Sequence, residues 1–253
     1  MLNTRHRLVL IVTVLVLGIV GAGVAQGARL ARENTLYIGG HQWGPPTSFN
    51  PIGRGTIAWP INSKLYIYES LYAFNLYTGE LDPILAEKQE WIEDDMVLRV
   101  TLHEGTRWQD GKPLTAEDVF YTLDLGRRYP VSYAAWWNYV ADVKVVNDRT
   151  VDILLNPDRP HRAMVLQDLG GIRILPKHIW QAVEEEGRSP QDPDNMEPVG
   201  SGPYKLLNAN AQQVTLVRDD NYWGIKYFGT PAPEYIAHPI FKSNDSGNLA
   251  LER

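Results

Sequence analysis

Residues 8–25 form an uncharged apolar run, LVLIVTVLVLGIVGAGVA, with Arg5 and Arg7 just before it. A basic start, an apolar middle and a small-residue exit are the layout of a secretory signal, which is removed and takes no part in the fold. At 18 residues the run is also just long enough to span a bilayer as a retained anchor. Gly18, Gly21 and Gly23 weaken it in that role, so cleavage after Ala25 or Ala28 is the favoured reading. Residues 1–28 are therefore expected to be a signal peptide and 29–34 a linker, with the folded part starting at residue 35.

That remainder can bury a core. Of 253 residues 44% are hydrophobic, enough for one large domain or two small ones, and nothing suggests bulk disorder. Loss of residues 1–28 removes two arginines and no acid, taking the net charge from −6 to −8. So acidic a chain is a poor partner for nucleic acid, which rewards clustered Lys and Arg. The absence of cysteine excludes thiol nucleophiles, cysteine-ligated zinc and a lipid-modified N-terminal cysteine.

TLYIGG (35–40) reads as a buried strand, and 41–60 as a long loop rich in Gly, Pro and Asn. Residues 61–75 start as an amphipathic helix with Leu65, Tyr68, Leu71 and Tyr72 on one side. Alternation makes 96–104 a strand. Residues 140–148 and 150–156 form a hairpin around Asp148-Arg149. HRAMVLQDL then reads as a helix, IRILP as a short strand, and KHIWQAVEEE as a helix beginning beside Pro176. YKLLN pairs with QQVTLVRD, YIAHPIF is a last strand, and NDSGNLALER begins a helix. Strands and helices interspersed without a strict βαβ rhythm predict a mixed α/β domain.

The stretch WQDGKPLTAEDVFYTL (108–123) concentrates acids, and His103-Glu104 stand just before it. Each acid has a structural use. Asp110-Gly111 is a turn dipeptide, Thr115 and Asp118 have the spacing of a capping box, and Glu117 and Asp118 suit a helix N-terminus. Elsewhere the six histidines show no i+3 or i+4 pairing, and neither a nucleophile elbow nor a phosphate loop is present. No catalytic residue, metal ligand or cofactor is expected, although a glycosidase-type carboxylate pair stays open without a fold.

Aromatic content points to recognition. Eight Trp and thirteen Tyr stand against five Phe, a bias towards rings with a polar handle. Trp43 and Trp59 lie in the 41–60 loop, and Trp136-Trp137 precede a strand in which both cannot point inward. With Asn50 as an amide partner, Trp43, Trp59, Trp136 and Trp137 are the candidate ligand-binding residues, able to stack on sugar rings or hold peptide side chains.

LHEGTRWQDGKPLTAEDVFYTLD (102–124), ILPKHIW (174–180), PVGSGPYKL (198–206), RDDNYWG (218–224) and FKSNDSGNLALER (241–253) occur in an order that resembles the family 5 extracellular solute-binding proteins. These are receptors of ABC importers, and the resemblance spans roughly residues 35–253. It implies a periplasmic-binding-protein type II-like lobe with a mixed sheet and flanking helices. It also implies a non-catalytic monomer in the periplasm or on the outer face of the cell membrane. Such a receptor passes an oligopeptide or oligosaccharide to ABC permease subunits. GGHQWGPPTSFNP and the Trp-Trp pair are more similar to oligosaccharide-binding members. The family normally continues into a second lobe, so the resemblance implies a C-terminally truncated N-terminal lobe holding half a site. A secreted carbohydrate-active enzyme and an aromatic-patch interaction module remain the alternatives.

Overall fold

A computed structural model describes residues 30–39, 46–53 and 66–251. The chain divides into two compact units, Met1–Asn34 and Thr35–Arg253. Within the first, the described part is a 3-10 turn over Arg32–Asn34.

The second unit carries strands β1 (Thr35–Tyr37), β2 (Tyr72–Phe74), β3 (Leu81–Pro83), β4 (Ala86–Ile92) and β5 (Val97–Leu102). They are followed by β6 (Val140–Asn147), β7 (Thr150–Leu155), β8 (Tyr204–Ala209), β9 (Gln213–Arg218) and β10 (Tyr235–Pro239). Its helices are α1 (Ala116–Arg128), α2 (Arg162–Gly171), α3 (Lys177–Glu185), α4 (Ile225–Phe228) and α5 (Asn244–Leu251). One sheet has the order β1-β10-β9-β8, with β1 parallel to β10 and the other pairs antiparallel. A second, β4-β5-β7-β6, is wholly antiparallel, and β2 and β3 form a hairpin of their own. The expected mixed α/β architecture with a mixed sheet is what the chain adopts.

The acid-rich stretch behaves as scaffold. Gly111 takes φ +87°, and the Asp110 carboxylate accepts from the Lys112 N–H at 3.1 Å, closing the turn. Asp118 is buried, and its two oxygens accept from the Thr115 N–H at 2.8 Å and the Lys177 N–H at 2.9 Å. One carboxylate thus caps α1 and anchors the start of α3. Val119, Leu123 and Leu125 are fully buried where α1 packs on β6 and β7.

Three elements differ from expectation. The strand expected to be buried, β1, exposes Leu36 and Tyr37, because it lies at the edge of its sheet. In the described part of 61–75 only 66–67 are helical, and the chain then bends into β2. IRILP forms no ladder, because the Ile174 N–H donates to the Glu69 carbonyl at 2.9 Å as an isolated link. Local pattern cannot anticipate a partner more than a hundred residues away.

The recurrent stretches meet as joints. Gly200 and Gly202 lie against the backbone at Tyr66 and Ile67, where a Cβ would stand 1.8 Å and 2.2 Å from carbonyl oxygens. The Gln109 amide donates to the Gly202 and Tyr204 carbonyls at 2.9 and 2.8 Å and accepts from the Gly200 N–H at 3.1 Å. Glu69 is buried, accepting from the Tyr222 hydroxyl at 2.5 Å and the Trp223 indole N–H at 2.9 Å. Burial pushes its carboxyl up to about 7, against the opposing hydrogen bonds and the Arg173 charge.

Two stability measurements follow from these joints. Gly200→Ala is expected to cost about 1–3 kcal/mol or more in chemical denaturation, since backbone must move aside. Gly171→Ala, with no atom within 4 Å of the added carbon, is expected to gain about 0.4–1 kcal/mol. The raised Glu69 value means that the folded state holds its proton more tightly than the unfolded one. Its contribution is complete below the ordinary value of 4.5 and is lost as pH rises through about 7. The loss is on the order of 3 kcal/mol. Glu69→Gln is expected to remove that component from a pH series of unfolding free energies. An unchanged slope would contradict the assignment.

Candidate functional site

A cavity of about 440 Å³ opens beside the Glu69 joint, within the size range of small-ligand sites. Glu69 and Ser70 reach it from the bend before β2, Arg173 from the extended segment between α2 and α3, and Tyr222 from the turn after β9. Ala73, Ile84 and Phe228 give it apolar walls. Its rim at Phe228 and Gly229 is exposed to solvent.

Arg173 dominates the electrostatics. Nη1 donates to the Ser70 hydroxyl at 2.7 Å, its one hydrogen bond among the described residues. The Ser70 hydroxyl in turn donates to the Tyr72 carbonyl at 2.5 Å. Burial lowers the guanidinium to about 10, partly offset by the Glu69 charge. Glu69 and Arg173 interact through space without a direct ion pair, because the carboxylate is already committed to Tyr222 and Trp223.

An aromatic cluster stands behind this joint. The His103 ring lies 4.1 Å from Tyr227 and 5.6 Å from Trp223, and the Trp223 and Phe228 centroids are 5.9 Å apart. His103 packs as a ring, and burial lowers its pKa. His161 accepts from the Met164 N–H at the start of α2, and His178 bonds Asp110 at 2.8 Å. Among the described residues no three His, Asp or Glu side chains are grouped to hold a metal.

The residues singled out from the sequence fall elsewhere. Trp43 and Trp59 lie outside the described residues. Asn50 is buried, its amide donating to the Pro190 and Pro193 carbonyls at 2.9 and 3.0 Å and accepting from the Ile52 N–H at 2.9 Å. It pins one loop to another. Trp136 and Trp137 occupy a 3-10 turn, Ala134–Asn138, that leads into β6 as expected. The expectation that one of them is exposed is corrected by that geometry. Trp136 is 1% exposed and donates to the Val165 carbonyl at 3.3 Å. Trp137 is half-buried, donates to the Leu123 carbonyl at 2.9 Å and carries the Arg127 guanidinium 3.8 Å above its ring. The structure brings these two together edge to face, and Trp136 also lines a separate cavity beside Tyr133 and Tyr139.

Glu69, Ser70, Arg173 and Tyr222 were not singled out. Their one local signal is a charge inside an apolar run: Glu69 in LYIYESLYAF and Arg173 in GGIRILP. Such a charge must find a partner or line a cavity.

The comparisons with known proteins agree with this architecture. Residues 80–253 match the model of bacterial extracellular solute-binding proteins, family 5 Middle. A probable peptide-binding protein, YejA, of Agrobacterium fabrum is 32% identical over 145 residues, which is 56% of this chain and 23% of that protein. A periplasmic oligopeptide-binding protein of an oligopeptide ABC transporter from Thermotoga maritima is similar with TM-score 0.76 and 35% identity. That match covers 87% of this chain and 40% of the other. Its mannohexaose-bound form gives TM-score 0.76 at 33% identity over 88% of this chain and 40% of the other. The chain thus spans about a quarter to two fifths of the length of these relatives. By the family match over most of its length and this shared fold, the chain belongs to the bacterial extracellular solute-binding proteins, family 5.

Proposed function

We propose that the chain is the ligand-holding lobe of an extracytoplasmic receptor that delivers an oligosaccharide or oligopeptide to ABC permease subunits, without catalysing a reaction. The observation that carries this reading is the likeness, at 33% identity over 88% of the chain, to a structure holding mannohexaose. Placement of the acids adds to it. Asp118 and Glu69 are committed to caps and joints, and Asp110 is bonded to His178. The arginine-tipped run at 8–25 fits export, and no helix among the described residues is long and apolar enough to cross a membrane. In this reading Trp43 and Trp59 stack on the ligand from the loop that follows β1.

A second reading, an interaction module, is favoured by the tip of the β2–β3 hairpin, where Leu76 and Tyr77 are 87% and 101% exposed. Such a tip also suits a receptor that must dock on a membrane partner.

Calorimetry and tryptophan emission with mannohexaose, cellohexaose and mixed tetrapeptides test the proposal. At least one series is expected to bind and be recovered intact. Trp43→Ala or Trp59→Ala is expected to weaken sugar binding roughly 3- to 10-fold, the worth of one aromatic contact. Release of shorter sugars would establish the enzyme reading instead, and binding to protein surfaces alone would establish the interaction module.

A further inference from the structure

Within that receptor reading, on which this inference rests, the cavity beside Glu69 has a chemistry of its own. We propose that Arg173, steadied by Ser70, forms a carboxylate subsite, so that the chain prefers ligands bearing a carboxylate, such as a uronic acid unit of a sugar or the C-terminus of a peptide. A guanidinium carries five N–H donors in a planar fork that matches a carboxylate with two parallel bonds. Among the described residues Arg173 uses its Nη1 on Ser70 and makes no other hydrogen bond. Glu69, the acid whose charge acts on Arg173, does not fill the fork, because Tyr222 and Trp223 hold its two oxygens at 2.5 and 2.9 Å. A guanidinium largely withdrawn from water, with most of its donors unclaimed among the described residues, gains from a ligand anion much of the solvation that burial removed.

The remaining walls narrow the choice of anion. Ala73, Ile84, Pro203, Phe228 and Pro231 present carbon to the interior, which suits the body of a sugar ring or an amino-acid side chain. At about 440 Å³ the space admits one such unit. The Glu69 carboxyl on the same wall opposes a doubly charged phosphate more than a singly charged carboxylate. Entry is available over the exposed rim at Phe228 and Gly229.

The test is calorimetry on the full chain with four probes: trigalacturonic acid, the neutral galactose trisaccharide, tetra-alanine, and tetra-alanine C-terminal amide. The acid member of at least one pair is expected to bind about 10-fold or more tightly than its neutral counterpart, as a charge-assisted bond provides. The pair that shows the preference identifies the source of the carboxylate. Arg173→Gln is expected to bring the acidic member's affinity down to that of its neutral counterpart while the melting temperature holds, and Arg173→Lys to retain part of the preference. Neutral and acidic members binding equally would overturn the subsite and leave the receptor reading standing. Arg173→Gln weakening both members alike, or lowering the melting temperature without altering the ratio, would show a structural arginine and overturn it too. No binding by any of the four would overturn the subsite together with the sugar and peptide reading beneath it.

Discussion

The buried carboxyl of Glu69 is the constraint from which the geometry of the site follows. It sits between two segments about 150 residues apart, and its oxygens are taken by Tyr222 and Trp223. Leaving such a group unpaired in the interior would cost several kcal/mol, so the turn after β9 must stay against the bend before β2. The backbone of Glu69 also receives the Ile174 N–H, which carries the segment bearing Arg173 to the same place. One side chain and its carbonyl therefore locate three strands of chain, and the cavity is the space left between them.

The glycines of the GSGPY stretch work on the same joint from the other side. Their missing side chains let the loop lie directly on the backbone at Tyr66 and Ile67, and Gln109 then locks the loop to the acid-rich turn. Strings that resemble a family invite a chemical reading, yet GSGPY, DDNYWG and ILPKH each make a contact between distant parts of the chain. Acids in WQDGKPLTAEDV cap helices and close turns.

Much of the fold was legible because the local physics is strong where it was read. Alternation over 96–104 matched β5, the Asp148-Arg149 turn closed the β6–β7 hairpin, and Thr115 with Asp118 set the start of α1. Short elements escaped. β2 and β3 are three residues each, too short for a period to emerge, and the helical spacing of Tyr68, Leu71 and Tyr72 arose from a bend whose side chains all turn inward. The tryptophan pair was placed before a strand, as found, but its burial escaped for a related reason. A 3-10 turn directs Trp136 onto α2 and Trp137 onto α1, where strand geometry would have sent them to opposite faces.

The sequence by itself determined the mixed α/β class, the family, the capped helix behind the acid-rich stretch and the structural use of its carboxylates. These depend on spacings of a few residues and on turn, cap and burial preferences that act locally. Only the tertiary structure decided that Glu69 is buried between Tyr222 and Trp223, that Arg173 lines a cavity beside them, and that Asn50 and Trp136 are buried. Those outcomes depend on segments a hundred or more residues apart arriving at one point, and no local pattern records which partner a buried charge will meet.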